Sequence, residues 1–320
     1  MAVTSHLCSV IIPTLNRVDY LRGCLEALGR QTLLPAEVVV ATHMGDNATH
    51  EFLNGCNNLP YALRYTECEQ AGVIANMQAA VDSTRHEVVA LLDDDATPHT
   101  DWLELIERHF VADVELGGLG GRDHLKDDED RRLKEDTTHR VGYYTWFGLG
   151  YGNHHRGCGA ARRVHVVKGC NCAFRGPVLR EIGFDYDLRG SGAQVGWELS
   201  LCFDLLKAGY HVVYDPSVQV DHWVAPRHDA EIHHRCELNM QSLEEVLYND
   251  FSIFWKSAPR YLVPGHFLWA ILWGGGWACG IFRACRDRIN GDRTAWMRFR
   301  LVLRTLLEAC SSIESNNIKP

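Results

Sequence analysis

The sequence predicts an α/β protein with a mostly parallel central sheet and helices on both of its faces. Two observations lead to this prediction. Short apolar runs alternate with helical stretches over the first part of the chain, as in parallel-sheet proteins. The runs are apolar throughout instead of alternating with polar residues, which indicates strands buried on both faces. A helical extension rich in Trp and Arg is predicted after this domain.

The first four strands are predicted at "SVIIP", "EVVVATH", "ALRYTEC" and "EVVALL", and the first of them ends at Pro13. Helices are predicted between them. The segment "VDYLRGCLEALGRQ" places Leu21, Leu25 and Leu28 on one helical face, and "GVIANMQAAVDST" is also assigned to a helix. The carboxyl ends of parallel strands share one edge, and ligands bind at that edge in such sheets.

The second half of the domain is predicted in less detail. The stretches "GGRDHL" to "GAARR" are polar and Gly-rich, and loops that build a second half-site are expected there. Strand and helix resume in "VHVVKGCNCAFRGPVLREIGF". A further helix is predicted from about residue 196 to 208, with Gly209 ending it before a strand "HVVYD".

Charge is distributed unevenly along the chain. The formal net charge is -9, which argues against a general nucleic-acid binder. The segment from Lys256 to Arg304 nevertheless contains nine Lys or Arg and two Asp, a net charge of +7, so the remainder carries -16. A basic, aromatic segment on an acidic body predicts contact with an anionic membrane surface.

The apolar stretch from Tyr261 to Phe282 is long enough to cross a bilayer, but Pro264, His266 and a run of three glycines interrupt it. An interfacial or re-entrant helix is therefore expected rather than a transmembrane span. The alternative is a pair of buried helices that pack on the domain.

The twelve cysteines are scattered, often beside apolar residues, and no secretory signal precedes the first strand. Buried, reduced thiols in a cytoplasmic protein are expected. Cys170 and Cys172 form only a C-x-C pair, which is a weak zinc signal.

Three consecutive carboxylates, Asp93, Asp94 and Asp95, follow the fourth strand. Like charges this close repel one another, so the arrangement calls for a cation or for a ligand that brings one. The first strand is followed by "PTLNR", which lacks the glycines of a dinucleotide cradle. The motif therefore indicates metal or phosphate chemistry without a Rossmann-type cofactor.

Four segments resemble family 2 glycosyltransferases of the GT-A fold: "SVIIPTLNR", "LLDDDATP", "KGCNCAFRGPVLREIGFD" and "GAQVGWELSLCFDLLKAGYHVVYDPSVQVDH". The resemblance covers about Ser9 to His222. It implies a GT-A domain over residues 1–235, with a nucleotide-binding half to about residue 120 and an acceptor half over 121–235. Residues 236–320 are expected to form the helical extension.

The resemblance implies an inverting enzyme that uses a nucleotide-diphosphate sugar and a divalent cation, Mn²⁺ or Mg²⁺. Asp95 is expected to contact the metal as part of the D-x-D motif, while Asp93 and Asp94 lie against the ribose and the metal-bound waters. His222 matches a histidine that the family places near the metal and the diphosphate. A lone histidine is equally often structural.

Inversion requires a base that takes the proton of the acceptor hydroxyl. The family usually carries a Glu-Asp pair at the start of its late helix, and this sequence has Trp197-Glu198 there. The alignment puts Glu198 on the position of the base. The alternative is a glutamate that only stabilises the helix N-terminus.

Donor-binding positions are carried over from the family's first loop: Pro13, Thr14, Asn16 and Arg17. The second strand lacks the aspartate that reads the base, and Asp46 is expected to replace it. Asn76 matches a helix position that faces the nucleotide.

The loop from Gly190 to Gly196 is expected to help select the acceptor. Gly192, Gln194 and Trp197 are its predicted contacts. Trp146, Trp197 and Trp223 are each expected to be a stacking surface for a sugar ring, or alternatively a core residue.

The predicted function is an inverting glycosyltransferase at the cytoplasmic face of a membrane, acting in polysaccharide, glycolipid or other glycoconjugate synthesis. The acceptor is expected to be a saccharide or a lipid-linked saccharide, and a homo-oligomer is left open. Two alternatives are a nucleotidyltransferase and a catalytically inactive carbohydrate-binding or scaffold protein of the same fold. The sequence leaves the donor sugar, the nucleotide base and the linkage open.

Overall fold

The computed structural model describes residues 3–5, 7–126, 137–226, 240–275 and 277–316 of the chain. Within these residues, a nine-stranded sheet forms the centre of the molecule. Its strands are β2 (Cys8–Pro13), β4 (Glu37–His43), β5 (Ala62–Cys68), β6 (Val88–Leu92), β7 (Ala96–Pro98), β8 (Leu116–Leu125), β11 (Arg162–Val164), β12 (Asn171–Arg175) and β13 (His211–His222). Two small pairs lie outside it: β1 (Val3–Thr4) with β3 (Leu33–Leu34), and β9 (Tyr143–Tyr144) with β10 (Gly150–Tyr151).

The order of the sheet is β11-β13-β8-β12-β6-β2-β4-β5, and β7 also pairs with β13. Strands β5, β4, β2 and β6 are parallel, as are β8 and β13. The predicted mostly parallel sheet is confirmed. Strand β12 lies antiparallel between β6 and β8, and its register pairs Asn171 with Leu92. The residues before β12 therefore lie beside the carboxylates that follow β6.

Helices cover both faces of the sheet, as predicted. The described helices are α1 (Val18–Leu28), α2 (Asn47–Asn54), α3 (Val73–Ser83), α4 (Trp102–Ala112), α5 (Gly176–Ile182), α6 (Trp197–Lys207), α7 (Met240–Lys256), α8 (Val263–Leu272), α9 (Ile281–Ile289) and α10 (Ala295–Asn316).

Alternate residues of each strand enter opposite cores. Ile11 of β2 belongs to the core under α3 and α6, whereas Val10 and Ile12 belong to the core under α1 and α4. This explains why the strand sequences are apolar at every position.

The prediction of loops at "GGRDHL" is wrong, because this segment is the second half of strand β8. Its glycines are needed for close packing. A Cβ on Gly121 would lie 1.9 Å from the carbonyl oxygen of Val218, and one on Gly120 would lie 2.5 Å from a side-chain carbon of Val167. A glycine-rich composition usually indicates a loop. In β8 it allows a strand to form in a crowded part of the sheet.

The C-terminal helices are part of the packed structure. Ile253 and Phe254 of α7 are fully buried and belong to the same core cluster as Trp197 and Phe203 of α6. Helix α10 packs along α7. The predicted domain boundary at residues 235 and 236 lies outside the described residues.

The predicted membrane segment, residues 261–282, contains α8 followed by a link to α9. Among the helices that the structure describes, none combines the length and the apolar character that a membrane span requires.

Replacing Gly121 with Ala is expected to destabilise the protein by about 2–3 kcal/mol, because the added methyl group overlaps a backbone oxygen that cannot rotate away. The measurement is the free energy of unfolding in urea. Gly23→Ala is the matched control, since that site in α1 has open space around it. It should gain about 0.5–1 kcal/mol through helix propensity. Equal stability of the two variants would contradict this explanation of β8.

Candidate active site

The carboxyl ends of β6, β8 and β13 meet in one buried polar cluster. The Nε2 atom of His222 lies 3.2 Å from Oδ1 of Asp95, and its Nδ1 atom lies 3.6 Å from Oδ2 of Asp123. The ammonium group of Lys168, just before β12, forms an ion pair with Asp123. Register explains this convergence, because β13 pairs with β7 on one side and with β8 on the other.

The first loop joins the cluster through Asp94. Arg17 NH2 lies 2.8 Å from Oδ1 of Asp94, and Thr14 donates a hydrogen bond of 2.6 Å to Oδ2. Arg17 also reaches Oδ2 of Asp95 at 3.5 Å. Thr14 and Arg17, both predicted as donor-binding residues, therefore lie beside the aspartate motif. Pro13 precedes them as the last residue of β2.

The aspartates are less exposed than a strand-end turn implies. Asp94 and Asp95 are buried. Burial raises the pKa of Asp94 to about 7, with Arg17 acting in the opposite direction. Burial would also raise the pKa of Asp95, but His222, Arg17 and the backbone N–H of Ala225 together lower it to about 2.

The charge on His222 follows from three neighbouring residues. Burial lowers the pKa of this histidine, but Cys170, Asp123 and Asp95 raise it by more. The pKa of Asp123 is lowered by Lys168 and His222 against its own burial. In this structure the cluster is thus a set of buried carboxylates neutralised by cationic side chains.

The cluster has the donor set of a divalent-cation site. Asp93, Asp95 and His222 each offer one ligand atom, and these atoms lie within 4.8 Å of one another. Oδ1 of Asp95 and Nε2 of His222 are buried, and their 3.2 Å contact lacks hydrogen-bond geometry, so neither has a hydrogen-bond partner among the described residues. Buried polar atoms are normally satisfied, so unpaired ones that converge fit a missing ligand.

Three residues of this cluster were not predicted as site residues: Asp123, Lys168 and Cys170. Asp123 was hidden in a segment assigned to loops, while "KGC" gave no separate signal for a lysine beside the carboxylates. The register of β12 places these residues in the cluster, and that register cannot be predicted from the local sequence pattern.

Asp46 stabilises the first loop through its side-chain carboxylate. It is fully buried and caps α2 by accepting a hydrogen bond from the N–H of Thr49. Its other oxygen accepts the N–H of Asn16, at 2.7 Å. Asn16 itself is exposed and has φ of 54°, so this bond holds a strained residue in place.

The predicted acceptor contacts Gly192 and Gln194 bind the N-terminus of α3. The carbonyl of Gly192 accepts the N–H of Val73, and Oε1 of Gln194 accepts the N–H of Ile74. Asn76 lies one turn further along and donates to the carbonyl of Gly72. These contacts give the 190–196 loop a structural task, and acceptor binding by its residues stays a prediction.

Glu198 lies in the first turn of α6 and lines a cavity of about 270 Å³. Its Oε1 atom accepts a hydrogen bond from the N–H of Gly169, at 3.2 Å. Burial raises the pKa of Glu198, and the charge of Asp93 adds to this. Trp197 points into the core and packs edge-to-face on Phe184, so it is 8% exposed.

The C-terminal helices form the opposite wall of this cavity, with Val246, Asp250 and Ile253 from α7 and Trp277 from the segment before α9. The family resemblance did not predict this wall, because it ends before α7. Trp146 and Trp223 are exposed at 74% and 41%, and neither is among the residues that line the cavity.

A family model described as Glycosyl transferase family 2 matches residues 9–183, more than half of the chain. The chain belongs to glycosyl transferase family 2. The resemblance drawn from the sequence is confirmed.

Curated relatives of this family 2 glycosyltransferase match in part. The chain is 28% identical over 112 residues to glycosyltransferase GlyA of Streptococcus pneumoniae and 32% identical over 110 residues to glycosyltransferase AglE of Haloferax volcanii. These matches cover 34% and 32% of the chain, and 16% and 35% of the relatives' lengths. A third relative, the glucosyl-dolichyl phosphate glucuronosyltransferase of H. volcanii, is 22% identical over 67% of the chain and 68% of its own length.

Solved structures of glycosyltransferases share the fold. The mannosyltransferase PcManGT of Pyrobaculum calidifontis, in complex with GDP-Man and Mn²⁺, aligns over 98% of this family 2 chain and 88% of its own, with a TM-score of 0.51 and 16% identity. Residues 1–349 of S. aureus TarS, in complex with UDP-GlcNAc, align over 95% and 81%, with a TM-score of 0.59 and 13% identity. The GT-A fold expected from the sequence is confirmed.

Proposed function

We propose that this family 2 enzyme is an inverting, metal-assisted glycosyltransferase that moves a sugar from a nucleotide-diphosphate sugar to a hydroxyl acceptor. One observation carries the proposal. A cation-ligand set of Asp93, Asp95 and His222 lies close enough to Glu198 for the charge of Asp93 to raise the pKa of that glutamate. In this proposal the leaving-group site and the base are therefore neighbours.

On the donor side, Asp93, Asp95 and His222 would hold Mn²⁺ or Mg²⁺. Such a cation, when bound, neutralises the charge of the departing nucleoside diphosphate. Carboxylates suit both metals, and the imidazole nitrogen favours Mn²⁺ of the two. The Mn²⁺ in the complex of the mannosyltransferase of P. calidifontis supports this choice.

The first loop positions the nucleotide in this proposal. Arg17 presents a cation at the edge of the site, while Thr14 and Asp94 fix that loop against β6. Asp46 acts through Asn16, whose backbone it holds. GDP-Man and UDP-GlcNAc in the two solved complexes support a nucleotide-sugar donor of this general class.

On the acceptor side, Glu198 accepts the proton of the attacking hydroxyl group. Its raised pKa brings the carboxylate nearer to the range of an effective general base. The N–H of Gly169 orients one oxygen, which leaves the other directed for proton transfer. The cavity between α6 and α7 is the proposed acceptor site.

A saccharide carried by a lipid fits this cavity best. Trp277, 46% exposed, forms part of the wall and offers an aromatic surface to a sugar ring. Asp250 lines the same wall and is held by His266 at 2.7 Å, so its carboxylate is in place to accept hydroxyl hydrogen bonds. The name of the glucosyl-dolichyl phosphate glucuronosyltransferase of H. volcanii supports a lipid-linked acceptor.

The surface of α8 to α10 is the proposed contact with an anionic membrane at its cytoplasmic face. Large apolar side chains are exposed there: Leu268, Trp273, Trp277, Phe282 and Ile289. Exposed arginines follow in the same segment: Arg286, Arg288, Arg293 and Arg300. Aromatic rings at headgroup level and cations near anionic lipids both favour such peripheral binding.

Asp95→Asn should abolish metal-dependent donor binding, since it removes a charged ligand from the proposed cation site. Donors are screened by thermal shift with UDP-Glc, UDP-GlcNAc and GDP-Man, each with and without Mn²⁺. A donor at a hundred times its dissociation constant stabilises the wild type by about 2.7 kcal/mol, and a hundredfold weaker complex leaves about 0.4. The exposed Asp101→Asn variant should retain the full shift. A wild-type shift in Asp95→Asn would exclude the assigned metal site.

Glu198→Gln should keep donor affinity and lower turnover by about 10²- to 10⁴-fold, because the amide has the same shape but cannot accept a proton. Turnover is measured as released nucleoside diphosphate in the presence of a panel of glycosides. Glu181→Gln, on the exposed side of α5, is the control and should keep wild-type turnover. A matching loss of donor affinity would assign Glu198 to the donor side.

The full chain should co-sediment with vesicles containing phosphatidylglycerol, and the double variant Trp273→Gln/Phe282→Gln should bind at least about tenfold more weakly. These two rings lie 4.7 Å apart and are half exposed. The control, Val111→Gln/Val114→Gln, removes two apolar groups near the end of α4 that are more exposed than the two rings. If both double variants bind alike, or if the wild type stays in the supernatant, the membrane contact is wrong.

A further inference from the structure

His222 has a second face that the proposed function does not use. Its Nε2 atom is directed toward Asp95, whereas its Nδ1 atom is directed toward Asp123. The thiol of Cys170, which is 2% exposed, lies within 4.8 Å of ligand atoms of His222 and Asp123. We propose that Asp123, Cys170 and His222 form a second site, which shares His222 with the first, for a thiophilic divalent cation of the Zn²⁺ class.

The geometry brings three ligand atoms together. One oxygen of Asp123, Sγ of Cys170 and one nitrogen of His222 lie within 4.8 Å of one another, and all three residues are buried. Bond lengths at tetrahedral zinc place ligand atoms roughly 3.3–3.8 Å apart. A contraction of up to about 1.5 Å therefore closes the site, which rotation of the carboxylate and of the thiol can supply.

Unsatisfied buried atoms point independently to a ligand here. Oδ1 of Asp123 and Nδ1 of His222 are fully buried and have no hydrogen-bond partner in the described parts of the chain. The ammonium group of Lys168 binds the other oxygen, Oδ2, so it leaves Oδ1 free for a cation. Two buried polar atoms without hydrogen-bond partners, on residues whose ligand atoms lie within 4.8 Å of a thiol, are unusual in a purely structural core.

The donor set selects the class of metal. Thiolate and imidazole ligands suit Zn²⁺, whereas Mg²⁺ and Mn²⁺ prefer oxygen. The two constellations therefore differ in chemistry, with two carboxylates on the Asp95 side of the ring and one sulfur on the Asp123 side. A metal bound by sulfur displaces the proton of the thiol and any proton on the ring nitrogen that binds it.

Cobalt(II) is the probe, because tetrahedral Co²⁺ bound by thiolate has a charge-transfer band in the near ultraviolet. The full-length wild type is titrated with Co²⁺, and then with Zn²⁺ to displace it. One Co²⁺ per chain should produce the band, and excess Mg²⁺ should leave it unchanged. In Cys170→Ser the band should be lost, and Zn²⁺ binding measured by competition should weaken at least about tenfold.

A second cysteine provides the matched control. The Sγ atom of Cys158 lies 4.0 Å from Nε2 of His139 in an exposed pair, which offers only two ligands. Cys158→Ser should keep the band. Asp123→Asn should weaken it without removing a sulfur, and melting curves without metal show that each variant is folded. If Cys170→Ser unfolds, Cys170→Ala and Asp123→Asn carry the same test.

Three outcomes would overturn the proposal. A band that survives in Cys170→Ser, or that disappears in Cys158→Ser, overturns the proposal. Absence of any band and of any thermal stabilisation by Zn²⁺ in the wild type also overturns it. None of these readouts depends on glycosyl transfer, so they are distinct from a failure of the proposed function.

Discussion

The site depends on the neutralisation of three buried carboxylates at the edge of the sheet. Asp94, Asp95 and Asp123 are at most 3% exposed. An uncompensated charge at such a position costs several kcal/mol. Arg17, His222 and Lys168 supply the opposite charges, and they come from three different segments of the chain. The cluster therefore fixes how the first loop, β13 and the segment before β12 meet β6 and β8.

This arrangement leaves a defined role for a bound cation. His222 lies between Asp95 and Asp123 and supplies positive charge to both. A cation held by Asp93 and Asp95, as proposed, would take over that neutralisation on one side of the ring. The buried carboxylates would thus be stabilised both with and without the bound cation.

The parallel part of the sheet was predictable because its strands are buried on both faces and lie between amphipathic helices. Residues at the carboxyl ends of these strands, such as Arg17 and Asp95, could be placed near one another for the same reason. Strand β8 could not be predicted in this way, because Gly120 and Gly121 were interpreted as loop residues. Their function is to let Val167 and the backbone at Val218 approach, and such contacts join distant parts of the chain.

Loop residues were harder to predict than strand-end residues. Gln194 lies in a Gly-rich loop before a helix, where a substrate contact is a reasonable expectation. In the structure its side-chain amide satisfies the N-terminus of α3, with φ of 43° at the residue itself. The helix terminus that Gln194 satisfies lies 120 positions earlier in the sequence. No local sequence signal indicates such a distant partner.

The C-terminal helices link the proposed membrane contact to the candidate catalytic residue. Asn249 of α7 binds the backbone of Arg189 and Val195, and so holds both ends of the loop that leads into α6. Glu198 is in the first turn of that helix. The same α7 contributes Asp250 to the cavity, while Trp277 lies both on the cavity wall and at the exposed surface. In the proposed function, an acceptor bound at the membrane surface would thus contact side chains of these packed helices on its way to the base, Glu198.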